Sequence, residues 1–293
     1  MNECRLCPRE CGVDRATALG FCKAPDQTVV AKAYLHRWEE PCISGQNGSG
    51  TIFFSPCNLK CVFCQNYEIS HRLKGRRLTD SELAELMLRL QSEGAHNINL
   101  VTPTPYAENI CSAVAKIRDK LHIPVVYNCS GFEKREIIRS LKGTVDIFLT
   151  DVKFKDSEKS EKYLHAADYY KTAMDAADEM IKTAGAPRFN GGLLKSGVIV
   201  RHLVMPGGYR DSLEILRDIH ARFGTENLLL SLMSQYTPCG NLTDFPEINR
   251  RVTSFEYGKA AALAAELGFR GYTQQRESAQ SAYIPEFNDG GLI

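Results

Sequence analysis

Between residues 51 and 268, apolar β-prone runs alternate with amphipathic stretches of helical period, which restricts the chain to few architectures. The strand-like runs are TIFFSP (51–56), NINLVT (97–102), PVVYNC (124–129), VDIFLTDVKF (145–154), GVIVRHLVM (197–205) and NLLLSLMSQY (227–236), with a short FRGYTQ after the last helix. Helical stretches are TDSELAELMLRLQSEG (79–94), YAENICSAVAKIRDKL (106–121), EKREIIRSL (133–141), DSLEILRDIHARFG (211–224) and TSFEYGKAAALAAELG (253–268), with one or two more helices within 157–185. Thr79, Asp80 or Ser81 can cap the first of them and Gly94 stops it. Strands alternating with helices predict βαβ units and a parallel sheet. Near-continuous apolar strands fit a sheet covered by helices. Six main strands, or seven, fall short of the eight of a closed barrel. The expected fold is α/β, a partial (β/α)6-type TIM barrel, with a doubly wound sheet as the alternative. In both, ligands bind at the carboxyl ends of the strands.

Residues 1–45 differ in kind: Cys-rich, with Pro8, Pro25 and Pro41 and little periodicity. They predict a small metal-stapled lobe, too short to fold on a core alone, ahead of a barrel over 46–293. The 293 residues are 43% hydrophobic and 24% charged, as in ordinary globular enzymes. A net charge of +1 gives no bulk attraction to nucleic acid or a membrane surface. No apolar run is long enough to cross a bilayer, and MNECRLCPRE lacks the apolar core of a signal peptide, so the expected compartment is the cytoplasm. Eleven cysteines in a reducing compartment predict metal or cluster ligands and buried thiols before disulfides. Cys42, Cys111, Cys129 and Cys239 are isolated in sequence and are expected to be small core residues.

The remaining seven fall in two groups. SPCNLKCVFCQN (55–66) puts Cys57, Cys61 and Cys64 at C-x3-C-x2-C spacing where the first strand ends, at the carboxyl edge. Three thiolates are one short of a closed tetrahedral site and leave a coordination position open, which is how metals do chemistry. Thiolates select zinc or iron–sulfur. A zinc site with a fourth ligand from elsewhere, or a knuckle of buried thiols, are the other readings of the spacing.

This loop, with the aromatic Phe63 before its third cysteine and Asn66 behind it, resembles the radical S-adenosylmethionine (SAM) superfamily. Within that superfamily, CRLCPRECGVDR, HRWEEPCISG, GSGTIFF, CVFCQNYEIS, NLVTPTPY and PEFNDGG look like signatures of the pyruvate formate-lyase activating enzyme-like family, over essentially the whole chain. The resemblance implies a [4Fe–4S] cluster on Cys57, Cys61 and Cys64 whose fourth iron chelates SAM. One electron, from a donor such as flavodoxin or ferredoxin, would cleave SAM to methionine and a 5′-deoxyadenosyl radical that abstracts hydrogen. The substrate implied by the family name is a glycyl residue of a partner enzyme; a peptide or small metabolite is the other branch.

It also implies cofactor contacts at the strand ends. Thr102, Pro103 and Thr104 occupy the place of a Gly-Gly-Glu stretch that receives the SAM amino group, and prolines there break regular pairing and leave carbonyls free. Asn128 and Ser130 can bond a ribose or the methionine group. Asp151 and Lys153 are two residues apart, hence on one strand face, and resemble the activase's D-[LIV]-K element. An acid and a base facing a barrel mouth are costly unless paired or liganded, so a plain salt bridge is the other reading. Arg201 matches an activase arginine, and Tyr236 stands where the activase has a histidine. His36, Trp38, Glu39 and Glu40 precede the first strand: a Trp with adjacent acids can cover the cluster or shape a substrate entry, an interlobe packing segment is the other reading, and neither places them in the catalytic set. HRLKGRRLTDSELAEL lacks the ferredoxin-like insert of many glycyl-radical activases.

Cys4, Cys7, Cys11 and Cys22 form the second group, C-x2-C-x3-C-x10-C. Four thiols suffice for a closed tetrahedral zinc site. The spacing is not that of a bacterial ferredoxin, yet a second iron–sulfur cluster remains open. A non-catalytic iron–sulfur or zinc protein that carries electrons or binds a partner is the alternative function. A large barrel with polar strand ends, which an electron carrier does not need, stands against it.

Overall fold

The computed structural model describes residues 3–240 and 242–273; PEFNDGG lies outside the described residues. Among the described residues, ten strands form one sheet system: β1 Thr28–His36, β2 Ser49–Phe54, β3 Arg76–Leu78, β4 Ile98–Val101, β5 Val125–Cys129, β6 Ile147–Asp151, β7 Arg188–Asn190, β8 Leu193–Leu203, β9 Leu229–Met233 and β10 Gly271–Thr273. The parallel run is β2-β4-β5-β6-β8-β9-β10, each strand beside the one before it in the chain. A doubly wound sheet reverses its order at a switch point. None occurs here, so the fold is the partial barrel.

Period-two alternation sorts the strand residues onto two faces. Tyr127, Phe148, Val198 and Val200 pack outward with Leu83, Ile110, Val114 and Ile215 of the covering helices. Val126, Ile147, Leu149, Ile199 and Leu229 point the other way, onto Cys42 and Ile43 of the short helix Pro41–Ser44. Followed to the carboxyl ends, this second face turns polar: Asn128, Asp151, Arg201 and Ser231. The helices that hold the strands in place are locally well specified. Thr79 caps Asp80–Ser92 and Thr253 caps Ser254–Glu266, each in a reciprocal box with a glutamate three residues on.

Three expectations change and one left open is settled. The segment expected to be irregular through residue 45 contains β1, which pairs antiparallel with β2, Val30 opposite Phe54 and His36 opposite Ser49. The irregular lobe therefore stops near residue 27, and Pro25 and Pro41 bracket a strand. The stretch 157–185 is two helices, Ser157–Leu164 and Tyr169–Ala184. β7 was not expected; Gly191 and Gly192, with φ of 58° and 81°, make the two-residue turn of its hairpin with β8. β6 ends at Asp151, so Lys153 does not share a strand with it. Among the described residues no helix is long and apolar enough to cross a membrane.

Candidate functional site

The loop between β2 and the short helix Tyr67–Ser70 is held by its backbone. Cys57 N–H donates to the Ser70 carbonyl (3.1 Å), Val62 N–H to Tyr163 (3.0 Å) and Cys64 N–H to Cys61 (3.1 Å). The Ser55 hydroxyl bonds the carbonyls of Ile69 and Arg72 at 2.8 and 2.9 Å. Lys60 turns the chain through a left-handed residue, φ 56°. These contacts aim Cys57, Cys61 and Cys64 into one cavity of about 620 Å³ at the carboxyl ends of the strands. Burial pushes all three thiols up, Cys57 to about 11, so they become thiolates when a metal replaces their protons. Among the described residues no three metal-binding side chains converge on one ion-sized point; the loop thiols line a wall of the cavity instead.

Every barrel residue expected at the cofactor lines that cavity. Phe63 and Asn66 come from the loop, Thr102 and Thr104 from just beyond β4, Asn128 from β5 and Ser130 from just beyond it, Asp151 from the end of β6 and Lys153 from the turn after it, and Arg201 from β8. Phe63 is buried edge-on against Phe154 and Tyr236, both 6.0 Å away. Thr102 has φ 63°, a strained conformation for a β-branched residue. The carbonyls of TPTPY are less free than expected: Pro103 accepts from Tyr106 N–H at 2.8 Å and Pro105 from Arg15 at 2.6 Å. The Ser130 hydroxyl is buried without a hydrogen-bond partner among the described residues, as expected of a group awaiting a ligand.

Lys153 pairs with Asp151 although the strand ends between them. Tyr169 fixes this corner, its hydroxyl donating to the carbonyls of Ser130 (2.8 Å) and Asp151 (2.9 Å). Gly131 is required there: at φ 82°, an added Cβ would sit 2.2 Å from the Asp151 carbonyl oxygen. Burial alone would lower the Lys153 ammonium, but the Asp151 carboxylate and Cys61 more than offset it and hold it raised, a fixed cation beside the thiols.

His36, Trp38, Glu39 and Glu40, for which the sequence leaves cluster cover and interlobe packing both open, all line the cavity. Arg201 is forked onto Glu40, Nε and Nη2 each donating at 2.7 Å, and its Nη2 also bonds Glu39. Glu39 Oε1 accepts from Asn99 (3.0 Å) and Asn128 (3.4 Å). His36 and Trp38 line the same cavity, with Trp38 62% exposed. Two adjacent acids ahead of a strand, with one arginine on the inner barrel face, were the available sequence signal. Arg201 is committed to these carboxylates, which makes it a positioning residue. Tyr236 donates to the Ile248 carbonyl (2.8 Å) and presents only its ring to the cavity. Cys129 lines the cavity as well as the core.

Beneath the cavity lies Glu133, buried, accepting from Thr104 Oγ1 (2.5 Å) and the Tyr127 hydroxyl (3.3 Å). Burial pushes its carboxyl up to about 8. An unfolded glutamate ionises near 4.3, so the unfolded state sheds its proton first and stability falls as pH rises from about 4.3 toward about 8. Glu133→Gln keeps the shape and is expected to flatten that fall, raising Tm at pH 8 relative to wild type but not at pH 4. Parallel Tm-against-pH curves for the two proteins would refute it.

A family model described as the radical SAM superfamily matches residues 51–219. Uncharacterised protein MJ0674 of Methanocaldococcus jannaschii is 33% identical over 273 residues, covering 90% of this chain and 74% of its own length. Uncharacterised protein MJ0808 of the same organism is 24% identical over 268 residues, covering 83% of this chain and 73% of its own length. Among solved structures, HydG, a maturase of the [FeFe]-hydrogenase, superposes with a TM-score of 0.52 at 19% identity, over 75% of this chain and 50% of that one. That likeness is one of fold, and this chain spans half the length of the maturase.

Proposed function

We propose that this chain, which belongs to the radical SAM superfamily, holds a [4Fe–4S] cluster on Cys57, Cys61 and Cys64, binds SAM in the adjoining cavity and abstracts hydrogen from a substrate. The observation that carries the reading is convergence: one loop delivers three thiols into a cavity whose other walls supply polar strand ends. The donor set fits the group, since thiolates suit iron–sulfur clusters. The cavity, about 620 Å³, lies within the range of roughly 300–1,000 Å³ usual for ligand sites. When bound, the cluster supplies the single electron that cleaves SAM and opens hydrogen abstraction.

The chain's own residues bind and orient. Lys153 places positive charge beside the thiolates and Asp151 holds it there. Ser130 offers an unpaired hydroxyl, and Asn128, tied to Glu39, presents a fixed amide. Phe63 and Tyr236 give the cavity an apolar wall. Ser130→Ala removes one hydrogen bond to SAM. It is expected to weaken SAM binding by roughly 2–10-fold, the equivalent of about 0.5–1.5 kcal/mol. Equilibrium dialysis of reconstituted protein checks this; unchanged affinity removes Ser130 from the site.

The finer reading, a glycyl hydrogen on a partner enzyme, rests on the resemblance to activating enzymes. Low-temperature electron paramagnetic resonance of reduced, anaerobically reconstituted protein tests the core of the proposal. A cluster signal that shifts on adding SAM, with 5′-deoxyadenosine as product, is the expected result. A signal indifferent to SAM returns the chain to an electron-transfer or structural role, and S-adenosylhomocysteine as product points to group transfer.

A further inference from the structure

Residues 3–27 are ordered without a core of their own. Leu19 and Phe21 are 57% and 36% exposed, and Ala24 is buried in the barrel's cluster. Backbone bonds from Cys4 N–H to Val13 (2.8 Å), Gly12 N–H to Cys4 (3.1 Å) and Glu10 N–H to Cys7 (3.0 Å) wind the first three cysteines into one tight loop. Glu10 and Gly12 take left-handed φ values of 41° and 65° to close it. The segment carrying Cys22 then folds back over Cys11. At Gly20 an added Cβ would lie 2.8 Å from the Cys11 Cβ and Sγ, so only glycine permits the approach.

The result is a small cleft lined by all four thiols with Arg9 and Arg15. Two thiols already accept backbone N–H groups, Cys11 from Phe21 (3.3 Å) and Cys22 from Ala24 (3.4 Å). Cys57 of the barrel loop accepts from Leu59 in the same way (3.3 Å). Such bonds to sulfur accompany thiolate–metal centres. Four thiols around one cleft in a segment lacking an apolar core are explained economically by a metal staple.

We infer that Cys4, Cys7, Cys11 and Cys22 form a second, tetrathiolate centre for a soft metal, separate from the cavity and standing on its own residues. Zinc and an iron–sulfur cluster share this ligand chemistry. The thiols ring the cleft without meeting at one ion-sized point, so metal binding draws them together. The centre is fastened to the back of the cluster loop. Arg9 Nε donates to the Asn58 carbonyl (3.2 Å), Lys60 Nζ to the Phe21 carbonyl (2.8 Å), and Lys134 pairs with Glu10 (2.7 Å). A metal at the lobe thereby braces the loop that carries Cys57.

The test is metal and acid-labile sulfide content of the full chain carrying Cys57→Ala, Cys61→Ala and Cys64→Ala together, prepared once with zinc and once anaerobically with iron and sulfide. One centre per chain is expected to persist, and to vanish on adding Cys7→Ser and Cys11→Ser. Retained zinc alone identifies a structural staple, and retained iron with sulfide a second cluster. No retained metal in either preparation overturns the inference. Should the triple variant fail to fold, Cys7→Ser with Cys11→Ser in the otherwise native chain must lose one centre while the loop's SAM-dependent signal persists; unchanged metal content overturns it. Failure of the cavity reading would appear separately, as a native protein without a SAM-dependent signal.

Discussion

Alanine at Cys57, Cys61 or Cys64 is expected to bring SAM cleavage down to background in each of the three variants. On the proposed reading each thiol is one of three ligands on a single loop, and among the described residues the cavity lining offers one other thiol, Cys129 of β5. Removing an outer partner of a metal ligand costs about 10–100-fold in affinity or activity, so losing a direct ligand should cost more than about a hundredfold. The fold should survive, because backbone contacts to Ser70 and Tyr163 and the Ser55 hydroxyl hold the loop independently of the thiols. The measurement is 5′-deoxyadenosine formed under a strong reductant, beside circular dichroism to confirm folding. Activity within tenfold of wild type in any well-folded variant would exclude that cysteine as a cluster ligand.

The alternation of runs from residue 51 onward carried the barrel because each parallel strand is buried on both faces and each helix is amphipathic. It also located the cavity residues, since strand ends are where an inner face can turn polar. β1 was hidden by its company: cysteines and prolines surround TVVAKAYLH, and an antiparallel strand paired between β2 and β3 and interrupted by Lys32 lacks the continuous apolar signature. The β7 hairpin was legible in FNGGLL, since two glycines between β-prone residues specify a two-residue turn. Lys153 met Asp151 for a reason strand periodicity does not supply: the chain leaves β6 at Asp151, and Tyr169 from a helix sixteen residues on anchors the turn. The pairing of Glu39 and Glu40 with Arg201 was not legible because the arginine is more than 160 residues away. Nothing local to WEEP reveals that Glu40 is buried and Glu39 half-buried against one arginine.

That charged triad makes the largest stability prediction. Arg201→Met is expected to destabilise the protein by about 3–5 kcal/mol, because it leaves the buried Glu40 carboxylate, and the partly buried Glu39 beside it, without their cation. Against a total stability of about 5–15 kcal/mol, this lowers Tm on the order of 10 °C. The loss should depend on pH with a defined sign. Burial alone would raise the Glu40 carboxyl, but Arg201 outweighs it and holds the folded-state value below the ordinary one. In wild type, Glu40 therefore adds stability above about pH 4.3, lost as pH falls through the lower folded value. Without Arg201, burial is opposed only by hydrogen bonds from the backbone and Ser231; the folded carboxyl is then expected to rise above the unfolded one, with stability lost as pH increases past about 4.3. The gap between the two proteins should be widest near neutrality and close in acid. Replacing all three charges, with Glu39→Gln, Glu40→Gln and Arg201→Met, should recover most of the loss, since a neutral buried set carries no unpaired charge. Urea unfolding of the single and triple variants at pH 7 and pH 4 checks both points. An Arg201→Met protein as stable as wild type at pH 7, or a triple variant no better than the single one, would show that the guanidinium is not what keeps these carboxylates in the barrel mouth.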